Sequence, residues 1–224
     1  MSEAVVLLHG LLMNRYAMLP LAARLRAAGY ADHSYTYHSQ RQELDAHLAA
    51  IRRRIDRLDS ARIHLVGHSM GGVVALKLLE SVGDVSRIGR VLLLGSPLVD
   101  CAAARAMGGS PMGRWLLGRS AGLWRGGYPL SLPAGIRAGA IAGTRRAGLG
   151  ALTVRLLGAS DGVVLVEETR LPGLADHMVL PVSHSGMLIS RAVAEQCIAF
   201  LRHGRFARPE PGHFARPAAV QPDP

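Results

Sequence analysis

The chain reads as an α/β protein built on a mostly parallel, six-stranded sheet flanked by helices and interrupted by one inserted segment. Three observations predict this. Short apolar runs at 5–8, 63–66 and 91–94, the first of them β-branched, suit strands buried on both faces. Stretches with helical spacing of apolar residues lie between them. The strand-then-helix alternation recurs along the chain, which forces right-handed crossovers between parallel strands and puts reactive residues at the strands' carboxyl ends.

Each element has its own signal. Residues 5–8 form the first strand, and 16–28 carry Met18, Leu21, Ala22 and Leu25 on one helical stripe that stops at Gly29. Tyr35, Thr36 and Tyr37 make a short strand candidate. A helix over 41–58 follows, with Leu44, Leu48, Ile51, Ile55 and Leu58 on its apolar face and Arg52, Arg53 and Arg54 on its solvated one. Strand 63–66, helix 71–79 and strand 91–94 come next. Residues 98–135, rich in Gly, Ala and Arg and holding both tryptophans, Trp115 and Trp124, read as a cap-like insertion over the strand ends. The pattern resumes with strands at 136–142 and 177–182 and a closing helix at 187–201. The domain is expected to span 1–203. Residues 204–224, with a near repeat at 204–209 and 212–217 and a Pro- and Ala-rich end, read as a disordered tail.

Composition narrows the function. The 224 residues suit one domain with a full core, and 49% hydrophobic content with a mean hydropathy of +0.20 fits a globular chain. No run is apolar enough to span a bilayer and no leader precedes the first strand, so a cytoplasmic protein is expected. Cys101 and Cys197 fall in apolar surroundings and read as buried thiols outside any metal-ligand pattern. The net charge of +10, carried by arginines with Lys77 the lone lysine, favours anionic partners and is compatible with peripheral contact to an anionic membrane. No zinc-finger spacing, stacking-aromatic module or basic recognition helix appears, so no nucleic-acid partner is expected.

The most informative stretch is Gly67-His68-Ser69-Met70-Gly71, at a strand-to-helix junction. A serine between glycines at such a junction is pushed out of a tight, strained turn where a substrate carbonyl can reach it, and a Cβ at either flank would crowd the chain. A serine needs a base to take its proton, and the base needs a third group to hold its ring. His184 follows the last strand and precedes the closing helix, where a loop can carry its imidazole over the serine; His177 sits at the wrong end of that strand. Two carboxylates compete for the third role: Asp161, in the turn Ser160-Asp161-Gly162 and favoured by chain order, and Asp100, shortly after the strand ending at Gly95. Backbone donors for an oxyanion are expected from Met70, after the nucleophile, and from Leu11 in the His9-Gly10-Leu11-Leu12 loop, with Leu12 one residue away as the alternative.

Together, His9-Gly10-Leu11-Leu12, Gly67-His68-Ser69-Met70-Gly71-Gly72, Ser160-Asp161-Gly162 and Ser183-His184-Ser185-Gly186-Met187 resemble the four signature sites of the lipase-like α/β-hydrolases, in particular small bacterial lipases and esterases. The resemblance runs from about residue 5 to 201. It implies a minimal α/β-hydrolase fold starting at what the family counts as its third strand. It also implies a catalytic triad Ser69-Asp161-His184, an oxyanion hole from Leu11 and Met70, an acyl-enzyme route, no cofactor or metal, and a small-molecule acyl ester or lipid substrate. Leu12, Met13, Met70 and Met187 are expected near the serine, ready for acyl chains. An acyltransferase or thioesterase would use the same residues, and a non-catalytic binding protein could keep the same fold.

Overall fold

A computed structural model describes residues 3–38, 44–81, 84–120, 130–147 and 156–208. Six strands form one parallel sheet: β1 (Ala4–Leu8), β2 (Ala31–Tyr35), β3 (Ile63–His68), β4 (Ile88–Leu94), β5 (Arg137–Gly143) and β6 (Asp176–Leu180), in the order β2-β1-β3-β4-β5-β6. The helices are α1 (Leu19–Ala27), α2 (Leu44–Asp56), α3 (Met70–Ser81), α4 (Ala102–Gly108), α5 (Pro111–Leu117) and α6 (Arg191–His203), with short 3-10 turns before α1 and α6.

Alternation along the strands sorts the core into two layers. In β1, Ala4, Val6 and Leu8 pack with α2, α3, α4 and α5, while Val5 and Leu7 pack on the other face with α1 and α6. β1, β3 and the last four residues of β4 are wholly buried, which explains the uninterrupted apolar runs of β1 and β4 and the hydrogen bonds made by the two histidines of β3, His64 and His68. The chain builds outward from β1 to β2, then crosses back so that β3 lies on β1's other side. That reversal opens a crevice at the carboxyl ends of β1 and β3, where open parallel sheets bind ligands.

Three expectations are corrected. The second strand is Ala31–Tyr35, not 35–37: its sequence Ala-Asp-His-Ser-Tyr is polar because it is an edge strand, and Tyr37 lies beyond it. The closing helix begins at Arg191, where the Ser190 side chain accepts from Val193 N–H; residues 185–188 form a separate 3-10 turn. The tail does not start at 204. Gly204 ends α6 with φ 70°, Phe206 is buried against Phe200 with ring centroids 5.0 Å apart, and Arg208 grips Asp176 with bonds of 2.9 and 2.6 Å. Residues 209–224, most of the expected tail, lie outside the described residues, as do Trp124 and the start of the helix expected from 41.

In the segment expected to be an insertion, α4 and α5 carry Ala103, Ala104 and Leu117 into the core, while Trp115 is 70% exposed. Cys101 and Cys197 are both free and buried. Among the described residues no helix is long and apolar enough to cross a membrane.

Candidate active site

The elbow lies between β3 and α3. Ser69 has φ 55°, and the other non-glycine residue with positive φ among those described is Leu12, at 62°, in the loop after β1. Each costs roughly 1–2 kcal/mol relative to ordinary backbone, and both lie on the loops that border the crevice. The neighbouring glycines supply space. A Cβ at Gly71 would run into the Leu8 carbonyl oxygen, and one at Gly67 into the Gly71–Gly72 peptide. The turn is held by Ser69 N–H donating to Leu94 O at 2.8 Å and by Gly72 N–H donating to Ser69 O at 3.0 Å. Because α3 begins at Met70, that residue's N–H belongs to the unpaired first turn of a helix, where donors and the positive dipole end face outward.

His184 is 7% exposed, and its Nδ1 lies 2.7 Å from Asp161 Oδ2. Asp161 is itself buried, its Oδ1 accepting from the N–H groups of Val163 at 2.9 Å and Val164 at 2.8 Å. The two residues are joined again through the backbone, with His184 N–H donating to Asp161 O at 3.0 Å. Asp100, the competing carboxylate, is elsewhere: half exposed, it pairs with Arg105 and accepts from Cys101 N–H.

What holds the histidine loop to the elbow is His68, immediately before Ser69. It is fully buried, its Nε2 lies 3.0 Å from the His184 carbonyl oxygen, and its ring centroid lies 4.7 Å from that of His184. Burial, with the nearby His184, pushes its pKa down to about 3, so the ring is neutral and its Nε2–H donates to the carbonyl. Gly10 packs on the opposite side, its Cα so placed that a Cβ there would approach Ser69 Cβ to 3.1 Å and His68 Nδ1 to 3.2 Å. Ser69, His68, His184 and Asp161 therefore form one contiguous group with the loop after β1. Among the described residues the Ser69 hydroxyl itself makes no hydrogen bond. Serine–imidazole bonds in enzymes without substrate are often long and tighten only when substrate enters.

The loop after β1 is aimed by His9. Tyr37 N–H donates to His9 Nε2 at 3.2 Å, so the ring's proton sits on Nδ1, which donates to Gly10 O at 2.8 Å. Met13 N–H donates to the same oxygen at 3.3 Å. In a trans peptide the N–H points opposite to the C=O. Fixing the Gly10 carbonyl thus also fixes the direction of the Leu11 N–H. His9 stacks on Tyr37 with centroids 4.1 Å apart, and burial lowers its pKa, keeping it neutral.

Sequence reasoning missed these two positioning histidines because the motifs that contain them explain their neighbours without them. It also missed Glu168, whose buried carboxylate accepts from Ala102 N–H at 2.5 Å and Leu165 N–H at 2.8 Å, tying the start of α4 to the segment after Asp161. No motif flags it. Of the four apolar residues expected near the serine, Met70 and Met187 are absorbed into the two core layers, Met13 is partly buried, and Leu12 is 54% exposed. Among the described residues no three His, Cys, Asp or Glu side chains converge as metal ligands would.

Comparison with known structures agrees with this architecture. The chain resembles the mature lipase of Bacillus licheniformis with a TM-score of 0.65 at 19% identity, covering 89% of this chain and 90% of that one. An esterase from Exiguobacterium antarcticum gives 0.64 at 17%, covering 90% and 92%. Phospholipase PlaB from Legionella pneumophila gives 0.68 at 16%, covering 90% of this chain and 58% of that one. At these identities the likeness is one of fold. A search of curated protein sequences finds no match. The sequence profile of the alpha/beta hydrolase family, however, matches residues 5–222, nearly the whole length, and the six-stranded parallel sheet flanked by helices is that fold: the chain belongs to the α/β hydrolase family.

Proposed function

We propose that the protein is a serine carboxylesterase acting on small acyl esters or lipids through an acyl-enzyme intermediate. Ser69 Oγ attacks the ester carbonyl carbon while His184 Nε2 takes its proton. The Leu11 and Met70 N–H groups bind the tetrahedral oxyanion, and His184 then gives the proton to the departing alcohol. Water, activated by the same imidazole, attacks the acyl-serine ester, releasing the carboxylic acid and restoring Ser69. Asp161 stays ionised throughout, fixing the proton on Nδ1 and stabilising the imidazolium.

The observation that carries this reading is the buried 2.7 Å contact between His184 Nδ1 and Asp161 Oδ2, in a group contiguous with the strained Ser69 turn. A carboxylate that accepts two backbone N–H groups and one imidazole N–H has no role in packing that an apolar residue would not fill more cheaply. The direct test is labelling with a fluorophosphonate probe. The wild type is expected to react and Ser69→Ala to be inert; a wild type that never reacts would end the proposal.

A further inference from the structure

Beside the loop after β1 lies an open cleft of about 580 Å³ between the ends of β2 and α2. Arg15 and Arg54 both line it, with Tyr16, Tyr35, Ser34 and Thr36 around them. Each guanidinium is braced on a ring, Arg15 over Tyr16 and Arg54 over Tyr35, both at 5.0 Å from the centroid. Arg15 also donates to the Tyr16 hydroxyl at 3.1 Å, and its own N–H donates to Thr36 Oγ1 at 3.2 Å. None of the lining residues is acidic, and neither arginine meets a carboxylate among the described residues, although Arg26, Arg105, Arg170, Arg191 and Arg208 all do. Ser34 lines the cleft wall with its Oγ turned away from the open space, so the donors the cleft offers are those of the two arginines.

From these features we infer that the cleft is a binding site for an organic anion, a carboxylate or phosphate ester, borne by the molecule whose ester Ser69 attacks. Two held guanidiniums present planar forks of N–H donors suited to bidentate oxyanions. The volume lies within the range of small-molecule sites, roughly 300–1,000 Å³, and far exceeds what an inorganic ion needs. Arg15 follows Leu11 by four residues, so their Cα atoms are at most about 14 Å apart, and the cleft wall continues the loop that carries the proposed oxyanion donor. An acyl or alcohol portion with a terminal anion several atoms from the ester would join the two along that loop. The inference rests on the esterase reading for its link to catalysis, but the anion site itself does not.

Two measurements separate these. Calorimetric titration of Ser69→Ala protein with phenyl phosphate, hexanoate and inorganic phosphate reads the site without turnover. The organic anions are expected to bind, with affinity falling as salt rises, and Arg15→Gln/Arg54→Gln added to Ser69→Ala to weaken them by 10-fold or more. Inorganic phosphate binding as tightly as phenyl phosphate would overturn the organic-anion assignment, and no binding, or binding indifferent to the arginines, would overturn the site. The second compares 4-nitrophenyl esters of equal acyl length ending in a carboxylate or a methyl group. In the wild type the carboxylate-ended ester should have the lower KM, by about 10-fold, and the double arginine variant should lose that preference while keeping kcat for the neutral ester. Equal KM values with normal turnover of the neutral ester would sink the link to catalysis and leave the esterase reading standing. No turnover of either ester, with anion binding intact, would sink the esterase reading alone.

Discussion

Asp161→Asn gives the sharpest test of the proposed triad, because the structure dictates how an amide must sit there. The N–H groups of Val163 and Val164 both point at one oxygen of the carboxylate, at 2.9 and 2.8 Å. In the amide that position must be taken by the carbonyl oxygen, since an NH2 group there would face two donors. The NH2 then occupies the other position, 2.7 Å from His184 Nδ1, and donates to it. The imidazole proton is driven to Nε2, and the atom that should accept the serine proton becomes a donor. Restoring the useful tautomer means turning the amide over and leaving the two backbone N–H groups unpaired in a site only 1% exposed, at about 1–3 kcal/mol each. That alone amounts to roughly 30- to 10⁴-fold, and the lost carboxylate charge opposite the imidazolium adds to it, so kcat on a 4-nitrophenyl ester should fall by roughly 10⁴. Thermal stability should change little, since the backbone bonds survive. Asp100→Asn, which alters a half-exposed pair with Arg105, should leave kcat within about 2-fold. A loss of less than about 10-fold in Asp161→Asn, or a large loss in Asp100→Asn, would refute the assignment.

Other consequences concern stability. Gly71→Ala drives a methyl group into the Leu8 carbonyl oxygen and should cost about 3 kcal/mol or prevent folding; a melting temperature like the wild type's would show that the elbow has room to relax. Truncating Phe206 to Ala removes a ring 3% exposed and should cost about 3–5 kcal/mol by urea unfolding, whereas an exposed tail residue would cost almost nothing. His9, His64 and His68 all have pKa values lowered mainly by burial, to about 3 for His68. Their protons are taken up chiefly on unfolding, so the stability associated with them is full above the unfolded value near 6.5 and is lost as pH falls toward the folded one. Each steepens the acid limb by up to about 1.4 kcal/mol per pH unit. His68→Gln, which can still donate to the His184 carbonyl, should flatten the limb between pH 6 and 4 by about one such increment; an unchanged slope would mean that His68 is protonated in the folded state.

Fold and site were legible in the sequence to different depths. β1, β3 and most of β4 could be read directly because strands buried on both faces are largely apolar, with β3's His64 and His68 the exceptions, and the chain alternates such runs with helical stripes. β2 was misplaced because an edge strand needs no apolar run: its Asp32 pairs with Arg26 and its Ser34 lines a cleft. Phe206 was assigned to a tail because the sequence around it is polar and Pro-rich, and only the proximity of Phe200 and Asp176 gives it a place to pack.

The serine elbow was determined locally, since a strained turn between glycines is a property of five consecutive residues. The proposed partners of that serine were not. Asp161 and Asp100 are equivalent as residue types, and the choice between them depends on which one the folded sheet brings within 2.7 Å of His184 and which one Arg105 claims. The two neutral histidines that aim the loop after β1 and brace the histidine loop have a role only through bonds to Gly10 O, Tyr37 N and His184 O. Local propensity fixes what the backbone can do over a few residues. Hydrogen bonds spanning 28 or 116 positions of chain exist only after packing has closed the loops between them, and those are the contacts that turn a strained serine into a candidate catalyst.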